Sequence, residues 1–427
     1  MMGKTYQITE YGSFVRDREV QGSISLPQGT FDALENFILT NSSRETDALE
    51  LMGLSARKGI GKIITAKKYV GVISMEDGTT IEILPKIYSS EAENVGKTKK
   101  LLVEMLKTLR NSPFKSLQTT NVDIEKMSIF EVFIRMFIDE VFFIVKRGLK
   151  CNYETVQSNE SVFKGKIKFL EQIRYNYAHK ERNYVEYDEF NINRVENKLL
   201  KSTLLYLYQH SVSSKNKNDI KTLLNYFLEV EAAADYAGDF AKIVTERNTK
   251  DYDTALLWSK VFLMGKSFTS FSGSEVAFAL LFPMETLFES YIATQMNRLL
   301  KGTDCILSAQ DRKYHLFDEP GKRFLMKPDI VIRNKASKQI FIMDTKWKVL
   351  SDAKANYGIS QADMYQMYVY QKKYNSENVT LIYPMTDKVM RKNISYQSED
   401  GVIVRICFVD LYQLKESLET IVEMCKD

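Results

Sequence analysis

The sequence predicts a multidomain α/β protein: a β-rich N-terminal region, a helical middle region and a C-terminal α/β domain built on one mixed central sheet. Three observations predict it. At 427 residues the chain is too long for one ordinary core, so two or three domains are expected. The spacing of apolar residues changes along the chain, from alternation to helical stripes and then to strands and helices in mixed order. Hydrophobic residues make up 44% and charged residues 27%, with only 7 prolines and 19 glycines, which suits folded domains without long linkers.

Residues 1–90 carry the β signal. Lys62–Ser74 contains the runs IIT and YVGVIS, Glu76-Asp77-Gly78 is a hairpin turn, and Thr79–Ile87 (TTIEILPKI) returns. Pro85 lacks an N–H, so it should end that strand or hold it at an edge. Residues 91–265 read as mainly helical. Lys97–Arg110 places Leu101, Leu102, Met105 and Leu109 on one stripe. Ile129–Lys146 is a second helix with Gly148 as its C-cap, and Asn191–Gln209, Lys221–Ala234 and Asp251–Met264 follow. Residues 266–427 change character. Helix Met284–Leu300 precedes strands at Cys305–Ala309, Tyr314–Phe317, Phe324–Arg333 and Gln339–Val349. Gly358-Ile359-Ser360 opens a helix to Tyr374, strands Val379–Pro384 and Val402–Val409 follow, and helix Leu411–Lys426 closes the chain. That order gives a mixed α/β domain.

The bulk numbers exclude several classes. A net charge of +4 neither marks a nucleic-acid binder nor rules one out, because a local patch outweighs the sum. Cys151, Cys305, Cys407 and Cys425 are far apart and form no CxxC pair, so neither a zinc knuckle nor a disulfide framework is expected. His179, His210 and His315 have no metal-ligand spacing, so a bound metal would need oxygen ligands and would be magnesium or a similar hard ion. The start MMGKTYQITEYGS has no apolar signal-peptide core. Ile129–Val145 is interrupted by Glu131, Arg135, Asp139 and Glu140 and reads as a buried helix, not a membrane span. The expectation is a cytoplasmic protein with no membrane role.

The chemistry concentrates in two apolar strands with acidic residues inside them: LMKPDIVIR around Asp329, and IFIMDTKWK around Asp344, fifteen residues later. A carboxylate within such a strand is costly unless it is paired or binds a metal. Strand alternation puts Asp344 and Lys346 on one face. Asp329, Asp344 and the backbone carbonyl of Thr345 could together hold Mg²⁺, with Lys346 beside it to orient water or stabilise a phosphate transition state. An ordinary ion pair at a sheet end and a strand-entry Asp after Pro328 form the plainer alternative. A second feature is Val162–Arg182, where Lys164, Lys166, Lys168, Arg174, Lys180 and Arg182 interleave with Phe163, Phe169, Tyr175 and Tyr177. Lys164, Lys166, Lys168 and Arg174 are candidate DNA contacts, since such a mixture can grip phosphates and stack on bases. The alternative is a solvated face whose aromatics anchor in the core.

Pro328-Asp329 followed by Asp344-Thr345-Lys346 resembles the PD-(D/E)xK nuclease superfamily, as does the element order, which is similar to its αβββαβ core. Glu289, within METLFESYIA, matches an acidic residue of the first core helix in that superfamily, with Glu285 one turn earlier. Gln366 and Tyr370, within ADMYQMYVYQKKY, match a Gln-xxx-Tyr pattern on the helix after the catalytic strands. Over most of its length the chain is similar to the McrC family. The resemblance runs through GVISMEDGTTIEILPKI, VKRGLKCNYE, FKGKIKFLEQIRYN, NRVENKLLKSTL, FPMETLFESYIA, MKPDIVIR, FIMDTKWKVL and DMYQMYVY. It implies a Mg²⁺-dependent DNA endonuclease subunit of a modification-dependent restriction system. Its catalytic residues would be Asp329, Asp344, Lys346, Glu289 and Gln366. It further implies a separate McrB-type AAA+ GTPase ring as partner, engaged and stimulated by the N-terminal part, with double-stranded DNA as substrate and scope for nuclease domains to dimerise on it. GTP would be bound by the partner: Gly59-Ile60-Gly61-Lys62 is too short for a phosphate loop and is followed by Ile63. Two alternatives stand: a GTPase-activating adaptor with a vestigial nuclease site, and a stand-alone nuclease of the same superfamily.

Overall fold

The structure, a computed structural model, describes residues 4–40, 51–75, 77–87, 95–109, 113–116, 125, 127–243, 247–264, 276–389 and 394–425. By packing, residues 1–132 and 267–427 form one unit and residues 133–266 a second. Where the sequence suggested three consecutive regions, the β-rich start and the C-terminal domain therefore fold together.

The first unit opens with β1 (Thr5–Thr9), β2 (Ser13–Arg16), β3 (Ser23–Leu26), α1 (Gln28–Thr40), β4 (Met52–Arg57), β5 (Gly61–Ala66), β6 (Tyr69–Met75) and β7 (Thr80–Leu84). The runs IIT and YVGVIS within Lys62–Ser74 are thus two strands, and they enter different sheets. β5 lies in the sheet β3-β2-β5-β4, whereas β6 pairs with β7 and β7 with β1. The turn between β6 and β7 is closed by the Met75 N–H, which donates to the Thr79 carbonyl at 2.8 Å, and Gly78 takes φ +82°. Glu76 of the expected turn lies outside the described residues. β7 stops at Leu84, one residue before Pro85.

The middle of β7 carries Glu82, which is fully buried. Such a carboxylate needs partners. Lys99, on α2 (Val95–Leu106), sits 2.9 Å away, Gln7 donates to it from β1, and the Ile129 N–H at the start of α3 (Ile129–Arg147) donates as well. A negative charge at that helix N-terminus suits the helix dipole. Gly148 follows α3 with φ +85°, and its N–H donates to the Val145 carbonyl. Among the described residues no helix is long and apolar enough to cross a membrane.

The second unit adds a sheet to what the sequence suggested was mainly helical. β8 (Asn152–Glu160), β9 (Lys166–Ile167) and β10 (Asn183–Asn191) form the order β8-β10-β9, with α4 (Phe169–Asn176) between the last two in sequence. These strands, NYETVQSNE and NYVEYDEFN, are mostly polar, with Val185 fully buried, so they carry too little apolar alternation to read. Helices α5 (Val195–His210), α6 (Ser214–Leu224), α7 (Tyr236–Lys242) and α8 (Asp253–Met264) complete the unit. The helix expected over Lys221–Ala234 lies earlier instead: the Ser213 hydroxyl caps it by accepting the Asn216 N–H, and Ile220 and Leu223 are buried. Within the unit Trp258 of α8 is fully buried against the rings of Phe133 and Phe262.

The chain returns to the first unit with β11 (Val276–Pro283), α9 (Met284–Leu299), β12 (Cys305–Ala309), β13 (His315–Phe317), β14 (Arg323–Leu325), β15 (Ile330–Asn334) and β16 (Ile340–Thr345). Then come α10 (Gln361–Tyr374), β17 (Asn378–Pro384), β18 (Ile394–Gln397), β19 (Ile403–Val409) and α11 (Leu414–Glu423). The expected strand Phe324–Arg333 is interrupted: β14 and β15 flank Pro328, which cannot donate to a ladder. The strand expected over Gln339–Val349 ends at Thr345, although the Lys346 N–H still donates to the Ile382 carbonyl at 2.9 Å. A six-stranded sheet results, in the order β12-β15-β16-β17-β19-β18. It is mixed: β15 and β16 are antiparallel, whereas β16, β17 and β19 run parallel. Met367, Tyr370 and Tyr374 of α10 pack on Val331, Ile342, Leu381 and Ile406 of this sheet.

β11 explains the regrouping of the chain. It pairs antiparallel with β6, so the strand leading into the C-terminal domain closes the N-terminal sheet β1-β7-β6-β11. At the crossing Gly71 has φ +139°, and a Cβ there would stand 2.0 Å from the Leu280 carbonyl oxygen. Only glycine fits both conditions. Gly71→Ala should therefore destabilise the chain by on the order of 2–3 kcal/mol, read as a lower denaturant midpoint. A midpoint equal to that of the unsubstituted chain would show that β6 and β11 do not approach so closely.

Candidate active site

Asp344 lies on β16, at the centre of the six-stranded sheet, and is 2% exposed. The sheet needs apolar residues there; Met343 and Ile342 before it are buried. Asp329 directly precedes β15: Pro328 before it cannot donate to the ladder, while the Asp329 carbonyl already accepts the Gln310 N–H at 2.8 Å. Its Oδ2 accepts two hydrogen bonds at 2.7 Å each, from the Thr345 backbone N–H and the Thr345 hydroxyl. Thr345 thus aims Asp329 at the end of β16, next to Asp344. Burial raises the Asp329 carboxyl, and the charge of Glu289 adds to that against the Thr345 hydrogen bonds. Burial raises Asp344 too, with Asp329 as a further cause and Lys346 opposing. Each carboxylate makes the other harder to ionise.

Lys346 provides the local positive charge. Its Nζ lies 2.7 Å from Asp344 Oδ2, 3.5 Å from Asp363 Oδ1 and 3.4 Å from Gln366 Oε1, to which it donates. Burial alone would lower this ammonium, but Asp344, Asp363 and Asp329 hold it above the usual lysine value. Gln366 is fixed in turn by donating to the Tyr370 hydroxyl at 2.8 Å. Asp344 Oδ2 is buried, and the Lys346 ammonium is its partner.

The structure therefore brings together Asp329, Asp344, Thr345, Lys346 and Gln366. Glu289 acts on Asp329 through its charge from α9. Asp363 is an addition. It stands three residues before Gln366 on α10, and that i, i+3 spacing places both on one helix face, a signal present in the sequence. Among the described residues no group of three or more His, Cys, Asp or Glu side chains is arranged to hold a metal ion. A cation here would rest on two carboxylates and the Thr345 carbonyl, with water completing its shell.

Lys164, Lys166, Lys168 and Arg174 belong to the second unit and are not part of this cluster. Lys164 lies 3.7 Å from the Tyr187 ring centroid and pairs with Glu160, while Lys168 pairs with Glu186 at 3.2 Å. The Arg174 guanidinium lies beside the Tyr175 ring, and Lys166 stands opposite Glu186 on β10. The neighbouring aromatics are not core anchors: Phe163, Phe169, Tyr175 and Tyr177 are 58, 74, 52 and 84% exposed.

The chain matches the family described as McrBC 5-methylcytosine restriction system component over residues 64–384. No curated protein matches it. Two solved structures are similar. One is a half-complex from a tetradecameric assembly of Thermococcus gammatolerans McrB AAA+ hexamers with bound McrC, at 18% identity and a TM-score of 0.70, covering 98% of this chain and 100% of the matched chain. The other is the cryo-EM structure of the Thermococcus gammatolerans McrBC complex, also at 18% identity, with a TM-score of 0.50 over 70% of this chain and 88% of the matched one. At such identities the likeness is one of fold. The family match, by contrast, spans well over half of the sequence and takes in Asp329, Asp344, Lys346 and Gln366. This chain belongs to the McrBC 5-methylcytosine restriction system component family.

Proposed function

We propose that the chain is the nuclease subunit of a GTP-dependent, modification-dependent restriction system, acting in the cytoplasm with an McrB-like AAA+ GTPase ring. In this reading residues 266–427 form a PD-(D/E)xK nuclease domain that hydrolyses phosphodiester bonds of double-stranded DNA with Mg²⁺. The observation that carries it is the buried Asp344 on the central strand, beside an Asp329 oriented by Thr345 and 2.7 Å from a cationic Lys346. Two adjoining buried carboxylates, in a cluster where acidic groups outnumber the single lysine, fit a divalent cation.

Asp329, Asp344 and the Thr345 carbonyl would hold that ion. When bound, Mg²⁺ supplies charge neutralisation at the phosphate and water of lowered pKa. The chain's own residues do the rest. Lys346, kept protonated by its acidic neighbours, places positive charge where negative charge builds on the phosphate. Gln366, braced by Tyr370, fixes where the Lys346 ammonium points, and Glu289 adds negative charge beside Asp329. The basic edge with Lys164, Lys166, Lys168 and Arg174 is the proposed DNA contact of the second unit, and residues 1–90 the proposed partner-binding region.

The partner is favoured by the two similar assemblies, both of which contain McrB proteins. It is also favoured by Gly59-Ile60-Gly61-Lys62, which forms a turn leading into strand β5 and not the helix that a phosphate loop opens. Nucleotide hydrolysis then falls to the ring.

Asp329→Ala, Asp344→Ala and Lys346→Ala should each lower cleavage by at least about a hundredfold. Ring assembly and stimulated GTP hydrolysis should stay at the level of the unsubstituted chain. The reading fails if any of the three still restricts DNA normally, and the vestigial-site alternative gains if all three do.

Metal addition gives a second test. In the metal-free chain both carboxyls are raised, to about 6. Their contribution to stability is therefore present at low pH and lost as the pH rises through 6. Mg²⁺ should accordingly raise the thermal midpoint little near about pH 5 and most near about pH 8. Asp344→Asn should raise the metal-free midpoint at the higher pH and abolish the Mg²⁺ shift. A Mg²⁺ shift that survives Asp344→Asn would place the ion elsewhere.

A further inference from the structure

One buried acid lies outside the cluster yet reaches it. Glu10 follows β1, is fully buried, and is pinned there by its own N–H, which donates to the Leu84 carbonyl at 3.0 Å. Its carboxylate does not serve the N-terminal sheet alone. Oε2 accepts the Lys86 backbone N–H at 3.0 Å, and both oxygens accept the Trp347 indole N–H, at 3.0 and 3.2 Å. Trp347 is the residue after Lys346. Its ring also packs on Phe288, with centroids 5.4 Å apart, and Phe288 is the residue before Glu289. The indole thus sits between the backbone of the lysine and the helix that presents Glu289.

We infer that Glu10 is a positioning residue for the cleavage site: from the N-terminal sheet it holds the Trp347 indole, and through the Trp347 backbone it fixes Lys346. The inference rests on the nuclease reading proposed above. The chemistry favours position over mere cohesion. An apolar contact would join sheet and loop at no desolvation cost, whereas Glu10 is a buried acid that burial pushes up to about 7 even with these hydrogen bonds. What the carboxylate adds is direction, because two oxygens sharing one N–H fix the line along which the indole N–H points. Just beyond β16 the ladder is down to a single bond, from the Lys346 N–H to the Ile382 carbonyl. The side chain of the next residue then decides where Lys346 begins. Through Glu10 the strand β1, in the region proposed to engage the GTPase ring, is tied to the catalytic lysine.

The test uses the full chain with its ring partner and DNA, carrying fluorotryptophan in place of its two tryptophans, Trp258 and Trp347. Trp347→Phe assigns the fluorine resonances. Glu10→Gln keeps the shape of the side chain but puts donors where Lys86 and Trp347 already donate. It should move the Trp347 resonance, leave that of Trp258 in place, and lower the cleavage rate at saturating DNA by roughly ten- to hundredfold without weakening DNA binding. Trp347→Phe, which keeps a ring and drops the N–H, should reproduce the loss of rate. If Glu10 only stabilised the fold, Glu10→Gln would lower the thermal midpoint while each folded molecule cut at the full rate. That result, or an unmoved Trp347 resonance, overturns the inference. Asp344→Ala separates the two readings: if it still cuts, the nuclease reading itself fails, whereas a dead Asp344→Ala beside a fully active Glu10→Gln sinks only the role given to Glu10.

Discussion

The first unit depends on how it accommodates a carboxylate at the centre of a sheet. Asp344 takes a position on β16 that the surrounding ladder would fill with Ile or Val, and desolvation penalises its charge. Everything near it answers that cost. Lys346 sits at ion-pair distance, Asp363 and Gln366 share the same ammonium from α10, and Thr345 spends both its donors on Asp329. The balance is incomplete, since acidic groups exceed the single lysine and burial still raises both Asp329 and Asp344. Stored misfit of this kind belongs to functional sites more than to cores.

A second constraint follows from chain connectivity. β11 pairs with β6 before α9 begins, so the segment that delivers Glu289 is anchored in the N-terminal sheet. Gly71 allows the close approach, and Glu10 reaches across to Trp347 from the same sheet. The N-terminal strands and the six-stranded sheet therefore share one core, although some 190 residues of sequence separate β7 from β11. For a nuclease proposed to answer to a ring partner, such shared packing gives a physical route by which force on the first strands is felt at the lysine.

The second unit is built on other terms. β8 and β10 are mostly polar, and α4 with its flanks exposes Phe163, Phe169, Tyr175 and Tyr177 among cations that are partly committed to Glu160 and Glu186. Exposed aromatics beside basic groups suit contact with a partner or with bases more than they suit stability.

Much of this was legible in the sequence. The helical stripe of α2, helix α3 with its Gly148 cap, the stop at Pro85, the apolar strands of the last region and the group Asp329, Asp344 and Lys346 all rest on local rules: periodicity, a missing N–H, and carboxylates inside apolar runs; Gln366 came from the family resemblance. What failed locally did so for physical reasons. β8 and β10 have too little apolar alternation to read, Pro328 divided a run that looked continuous, and the capping hydroxyl of Ser213 outweighed the apolar pattern that suggested a later helix. Other features had no local signal at all. The pairing of β11 with β6, the burial of Glu82 against Lys99 and the grip of Glu10 on Trp347 are long-range contacts, and Glu10 and Trp347 stand 337 residues apart. The sequence by itself determined which residues the proposed chemistry would use, because residue type and spacing are local properties. Only the tertiary structure decided what holds those residues in place, because packing joins segments that no spacing rule connects.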